Sequence, residues 1–468
     1  MRLSTTARAL LLAASAFVPS VPAQAQPAST PLGQAATEGL CARYATAEHW
    51  MQKVVLLLSL DTWWHPSGST MIVQALRDKD PRLTAFGVEA LLRAEPALLP
   101  AVATPELVDE LVVRQSVRTN PHLRERVLAA LQVLVPTAGA KDRAAWSSWW
   151  NGAKATYAPA AWTAHTPPEA QAGSGTSATA QRAFDLYQAG LDLVICIDST
   201  GSMQPTIDAL GEALAEMVDI LDGISPKMRL AIVQYKDYTD LGKAGAKVVQ
   251  PFTKNIRQAR KELSGLRANG GGDLPEAVLG GLTIALDEKM SWQPEANKLV
   301  VLIGDAPPHA TETDKAIALV RSAREHGSNT GDKPTTGQQQ QAKATPILTS
   351  CIGVFVELQG KLREQEGYRE FVESQRRMRD DFGKIAEAGG GTFAEVQFTF
   401  TDEKSKDKPK DRTKEKEEQK DAARSIAASA TRRIVEHILV LSFGDRFARE
   451  MRDFVRIFFE YKDADFIK

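Results

Sequence analysis

Residues Leu191 to Ile197, LDLVICI, form a near-continuous run of apolar, mostly branched side chains that breaks into the polar turn Asp198-Ser199-Thr200-Gly201-Ser202-Met203. Such a run predicts a strand buried on both faces of a parallel sheet, which restricts the fold to α/β architectures with helices on either side. The turn after it places one carboxylate and two hydroxyls at alternate positions, with Gly201 free to let the loop curl. Hard oxygen donors converging on one point suit Mg²⁺, Mn²⁺ or Ca²⁺ rather than zinc. The same residue types also cap helix N-termini, and this turn taken alone leaves both uses open.

Two later stretches bear on that choice. Asn297 to Ile303, NKLVVLI, predicts a second buried strand that ends in Gly304-Asp305-Ala306-Pro307-Pro308-His309. Between the two strands lies Asn269-Gly270-Gly271-Gly272-Asp273-Leu274-Pro275-Glu276, a glycine loop opening into a helical pattern from Pro275 to Glu288. Ligands of open α/β sheets collect beyond the carboxyl ends of the strands, at the point where strand order reverses. Asp198, Thr200, Ser202, Asp273 and Asp305 would all gather there.

The blocks DSTGSM, GGGDLPE and GDAPPH make residues 186–400 resemble a von Willebrand factor type A domain. The similarity is greatest to the type A domains found with alpha-kinases, although the chain has no kinase segment. The resemblance implies a doubly wound, mostly parallel six-stranded sheet and a metal-ion-dependent adhesion site. It assigns the hydroxyl roles to Thr200 and Ser202 and the carboxylate roles to Asp198 and Asp305. Asp273 stands where the family has a threonine. A third acid there would grip the cation more tightly and leave it less demanding of an anionic ligand, whereas a plain helix cap is the alternative use. The implied cofactor is a divalent cation, Mg²⁺ first, with Mn²⁺ or Ca²⁺ as alternatives. The implied partner is a protein that could complete the metal shell with an acidic side chain.

The strands and helices alternate as βαβ units require. Strands are expected at Met228 to Tyr235, Ala246 to Phe252, Ile347 to Val356 and Thr392 to Val396, and helices at Pro205 to Leu221, Lys254 to Leu266, Thr313 to His326 and Tyr368 to Ala388. Asp237, after the second strand, and His309, after Asp305, are candidate rim residues that either touch a partner or simply face solvent. Cys196 and Cys351 fall inside strands, and the family's strand order keeps them apart, so free thiols are expected, Cys41 included.

Residues 26–151 read as an all-α domain. Asp80-Pro81-Arg82-Leu83 and Asn120-Pro121-His122-Leu123 each put a cap residue before a proline at the first helical position, at an offset of 40 residues. Paired-helix units of this spacing resemble HEAT or armadillo repeats, and the tryptophans of Ala145 to Trp150, with Trp63 and Trp64, are expected to pack or cap them. Such a solenoid would bind a protein or prop the neighbouring domain. Residues 152–185 read as a linker and 401–421 as a charge-balanced flexible insert. Residues 422–468 are expected to form a helical hairpin broken at Gly444, docked within the chain because its apolar faces would otherwise invite aggregation.

Residues 1–25 combine Arg2 and Arg8, an apolar run and Ala23-Gln24-Ala25, the pattern of a secretory peptide, so export to a periplasm or the outside is expected. No later run reaches the ~20 apolar residues of a membrane span. Lys and Arg total 57 against 58 for Asp and Glu, a balance that offers nucleic acid no electrostatic footprint. Three functions remain: a metal-tipped, non-enzymatic protein-binding module, a metal-dependent hydrolase, and a scaffold without metal. Neither G-x-S-x-G nor H-E-x-x-H occurs, and the first reading is preferred.

Overall fold

The structure, a computed structural model, describes residues 32–467 except 63–64, 117, 164–184, 187, 205, 213–219, 221–224, 226, 272–274, 328–344, 360–362, 365, 402–430 and 445–446. The leader pattern, Trp63, Trp64, most of the expected linker, Asp273 and the charged insert therefore lie outside the described residues.

Strand β1 (Leu191–Asp198) is fully buried along its length. It lies between β2 (Arg229–Tyr235) and β4 (Asn297–Gly304), parallel to both. The six strands run β3-β2-β1-β4-β5-β6, with β3 (Ala246–Thr253) antiparallel on one edge and β5 (Ile347–Gln359) and β6 (Gly390–Thr401) parallel on the other. The chain leaves β1 towards β2 on one side and later fills β4 on the other. The switch point thus lies at the carboxyl ends of β1 and β4. The doubly wound sheet expected from the apolar runs is the sheet observed.

Side chains of β1 alternate between two cores. Leu191, Leu193, Ile195 and Ile197 join one apolar cluster, and Val194 and Cys196 join the other. Of the two acids in the strand, Asp192 is fully buried and takes a two-point ion pair from Arg229, at 2.9 and 2.6 Å, which meets the requirement that a buried carboxylate be paired. Cys196 and Cys351 are buried free thiols in strands that β4 separates, and Cys41 is free too. Strands β5 and β6 run several residues beyond their expected ends. In β6 exposed Glu395 and Gln397 alternate with buried Val396 and Phe398, the half-buried pattern that a search for continuous apolar runs misses.

The N-terminal region is all helical: α1 (Leu32–Thr46), α2 (Trp50–Leu58), α3 (Ser69–Arg77), α4 (Pro81–Arg93), α5 (Leu99–Val102), α6 (Pro105–Arg114), α7 (Pro121–Leu134) and α8 (Arg143–Ala153). Helices α4 and α7 begin where the Asp-Pro and Asn-Pro pairs place them, with Asp80 accepting from the Arg82 N–H and Asn120 from those of His122 and Leu123. Trp146 and Trp150 are buried, and the Trp150 indole donates to Asp109 at 2.8 Å. Residues 157–163 run back over this layer, with Ala160 N–H donating to Pro100 and Trp162 set edge-on to His65.

On the sheet side, α9 (Ile256–Gly265), α10 (Val278–Ala285), α11 (Thr313–His326) and α12 (Tyr368–Ala388) cover the strands. Helix α10 is shorter than the Pro275 to Glu288 expected. Ala277 donates its N–H to Lys236 and Glu276 bridges to Pro308, so the chain stays extended to Ala277, and Asp287 starts a separate 3₁₀ turn.

The C-terminal helices join the two halves. In α13 (residues 431–443), Ile434, Val435, Ile438 and Leu439 are buried, and Thr431 donates to the carbonyl of Ala209 beside the sheet. The chain turns at Gly444, and α14 (Ala448–Asp463) lies on the N-terminal helices. Phe454 stacks on Phe86 at 5.3 Å and on Trp50 at 6.3 Å, and Arg93 pairs with Asp453. Buried Glu89 accepts two bonds from Arg126, both at 2.6 Å, and one from the Tyr461 hydroxyl at 3.0 Å. One apolar cluster therefore runs from the N-terminal helices through α14 and α13 to one face of the sheet. Phe454→Ala, at a fully buried site, is expected to cost about 3–5 kcal/mol in denaturant unfolding. Val372→Ala, at an exposed site, should stay within about 0.5 kcal/mol. Equal effects would remove α14 from the core.

Candidate functional site

At the end of β1 the Asp198 side chain is fully buried. Its Oδ1 accepts from the Thr200 N–H and hydroxyl, both at 2.8 Å, whereas Oδ2 has no hydrogen-bond partner among the described residues. Thr200 closes a 3₁₀ turn over Gly201–Met203 that presents Ser202, which stands near enough to the Asp305 carboxylate at the end of β4 to lower its proton affinity. Four of the five residues singled out from the sequence are thus brought together at the switch point. The fifth, Asp273, lies outside the described residues.

Two glycines let the loops close. Gly201 N–H donates to Gly270 O at 3.2 Å, and Asn269 N–H to Ser199 O at 3.3 Å, which seats the glycine loop on the β1 turn. Gly271 has φ +75°, and a Cβ there would stand 2.9 Å from Thr200 Cβ, so only glycine permits this approach. At Gly304 a Cβ would lie 2.2 Å from the Tyr235 hydroxyl, so β4 can deliver Asp305 past Tyr235 only without a side chain.

The sequence reading missed Glu276, which is 2% exposed and whose Oε2 has no partner among the described residues. Burial first, then the charges of Asp198, Asp237, Asp305 and Asp240, push its carboxyl up to about 9. Burial and Asp305 likewise raise Asp198, against the Thr200 hydrogen bonds and Lys236, and burial raises Asp305. Lys236, also missed, is buried with its ammonium on the Asn269 carbonyl at 2.6 Å. Glu276 carried a signal, being an acid at the exit of a glycine loop, but it reads equally as the first turn of a helix. The far wall had none: Phe371, Ser374 and Gln375 of α12 reach the cleft only through the fold.

These groups line an open cleft of about 310 Å³: Thr200, Ser202, Glu276 and Asp305 on one side, α12 on the other. Among the described residues no three His, Cys, Asp or Glu side chains are already closed into a metal cage. The donors are carboxylates and hydroxyls, with two buried carboxylate oxygens lacking any partner. That set fits a hard cation such as Mg²⁺, Mn²⁺ or Ca²⁺, which keeps water in its shell. The two rim candidates face each other instead. Asp237 caps the turn Tyr238–Leu241, His309 Nε2 stands 3.7 Å from Asp237 Oδ1, and the Tyr238 ring lies 5.4 Å from that of His309. A larger hollow of about 560 Å³ lies between α7, α13 and α14, but several of its charges are spent on one another, Arg432 with Asp463 and Arg456 with Glu460.

A doubly wound sheet with an oxygen-lined cleft at its switch point defines an open-sheet α/β domain. Residues 192–327, which span β1 to β4, match the family described as the von Willebrand factor A domain, and this stretch is such a domain. It is 34% identical over 122 residues to the putative ariadne-like RING finger protein R811 of Acanthamoeba polyphaga mimivirus, a match covering 26% of this chain and 12% of that protein. It is 33% identical over 129 residues to the alpha-protein kinase vwkA of Dictyostelium discoideum, covering 26% and 19%. The chain thus spans less than a fifth of either relative. Among solved structures, the conserved hypothetical protein BatB of Bacteroides thetaiotaomicron aligns with 51% of this chain and 100% of its own at 17% identity and TM-score 0.30. The pilus adhesin SpaC of Lactobacillus rhamnosus GG, in its open conformation, aligns with 51% and 30% at 12% identity and TM-score 0.27.

The raised carboxyls fix a sign. A group whose folded value lies above its unfolded value stabilises the fold while protonated, and that stability is lost as pH rises through the folded value. In EDTA the protein should therefore lose stability between pH 5 and about 9, and Glu276→Gln should flatten the slope in melts across that range. A wild-type slope of opposite sign would contradict the burial of these acids.

Proposed function

We propose that this chain is a non-enzymatic protein-binding module whose A domain holds a divalent cation, Mg²⁺ first, at the ends of β1 and β4. The reading rests on the Asp198 carboxylate, fully buried with one oxygen unpartnered beside the Asp305 carboxylate, an arrangement that costs free energy unless a cation shares it. Thr200 and Ser202 would give their hydroxyls and Asp198 and Asp305 their carboxylates. When bound, the ion would offer an outward coordination position to a partner protein. Apolar surface beside the cleft supports a protein partner: Phe371 lines it, and neighbouring Val372 is 46% exposed.

Within this reading the N-terminal helices, with their HEAT-like spacing, serve as a prop, because α14 occupies surface of α2, α4 and α7. His309 is turned to Asp237 and not into the cleft, which weighs against a hydrolytic general base. Among the described residues no helix is long and apolar enough to cross a membrane. The leader pattern of residues 1–25 supports export. Mg²⁺ added to chelator-stripped protein should raise the melting midpoint, by an amount set by its excess over Kd, and Asp198→Ala should abolish the rise. An equal rise in both proteins would refute the site.

A further inference from the structure

The cleft holds more negative charge than the four groups above account for. Glu276 lines the same cleft as Thr200, Ser202 and Asp305 and is 2% exposed, yet among the described residues its Oε2 has no partner. Buried carboxylate oxygens in native folds are hydrogen-bonded or paired with a cation, and this one has neither. Its backbone is fixed from both sides: the N–H donates to Pro307 O at 3.0 Å, and the following Ala277 N–H donates to Lys236 O at 3.0 Å. The side chain is therefore delivered to the cleft by the backbone of the β4 loop and the end of β2. The glycine loop lies against this carboxylate, since a Cβ at Gly271 would touch Glu276 Oε1 at 3.4 Å.

Around these acids the balance of charge is one-sided. Asp237 and Asp240 stand near enough to act on Glu276, and Asp240 is occupied with the Gly271 N–H at 2.9 Å. The buried cation facing them, Lys236, is committed to Asn269. Phe371, Ser374 and Gln375 on the far wall bring no charge. One doubly charged ion in such a site leaves it acidic.

We propose that Glu276 supplies a third carboxylate to the cation held by Asp198, Thr200, Ser202 and Asp305, and that the loaded cleft consequently docks a basic protein segment rather than an acidic one. This rests on the metal-dependent reading above and changes the partner chemistry that the family resemblance implied. Among the described residues no three acids already converge on one point, so Glu276 would act on the ion through water, and losing it should weaken binding without abolishing it.

The test is calorimetric titration of the purified full chain with Mn²⁺ and Mg²⁺, for the wild type, Glu276→Gln and Asp198→Ala, with melts in EDTA and in Mg²⁺. Glu276→Gln should bind the ion about tenfold more weakly or worse, the size expected when a supporting group of a metal site is lost. Its melting midpoint in EDTA should be equal to or higher than that of the wild type, because a like charge has been removed. Unchanged ion affinity in Glu276→Gln while Asp198→Ala loses it, or a lowered midpoint in EDTA, would overturn the role of Glu276 and leave the metal site standing. No ion binding by the wild type would overturn both. For the partner, fluorescence anisotropy with labelled lysine-rich and glutamate-rich decapeptides at saturating Mg²⁺ should show binding of the former, weakened in Glu276→Gln. Mg²⁺-dependent binding of the glutamate-rich peptide, or of neither, would contradict the charge argument.

Discussion

Like charges buried together at the carboxyl ends of two adjacent parallel strands are the constraint on which the rest of this structure turns. Asp198 ends β1 and Asp305 follows β4, and the apolar runs before them leave no choice about where they emerge. Burial removes water from the carboxylates, and the charge of Asp305 raises the proton affinity of Asp198, as both raise that of Glu276. A fold can carry such a cluster in only two ways, by holding protons at the price of a pH-dependent stability, or by holding a cation. The glycines at 271 and 304 are the local means by which the cluster is kept tight, since either would meet a neighbour if it bore a side chain.

The remainder of the chain makes that corner of the sheet stiff. One apolar cluster passes from the N-terminal helices through the C-terminal pair to the face of the sheet carrying Leu193, Ile195 and Ile197. One polar contact across the junction is centred on a buried acid: Glu89 is shared between Arg126 of the N-terminal layer and Tyr461 of the C-terminal helix. A buried acid that loses its partners is strongly destabilising, so this contact favours the docked arrangement over any in which α14 swings free. The N-terminal helices consequently meet the sheet domain as part of one packed body through α13 and α14, and not merely through the stretch that includes residues 164–184.

How much of this was legible in the sequence follows from the physics of each signal. Continuous apolar runs fixed β1 and β4 almost to the residue, because strands buried on both faces need nothing else. The helix starts at Pro81 and Pro121 were equally clear, since each cap residue acts within three positions of itself. Signals failed where partners are remote. Glu276 sits in what reads as a helix start, and only its pairing with Pro308, across 32 residues, keeps that stretch extended and turns the acid into the cleft. Lys236 is an ordinary lysine by pattern, and only its contact with Asn269 reveals a buried cation. Asp237 and His309 stand 3.7 Å apart, and that meeting depends on how two loops cross, which no local pattern shows. Strand β6 was cut short because its outer half alternates.

The most direct measurement is the anomalous scattering of Mn²⁺ in crystals of the full chain. The account predicts one strong peak between the carboxylates of Asp198 and Asp305, with the hydroxyls of Thr200 and Ser202 and the carboxylate of Glu276 around it. A map with no peak in that cleft at saturating Mn²⁺, and the Asp198 carboxyl left protonated and dry, would contradict it.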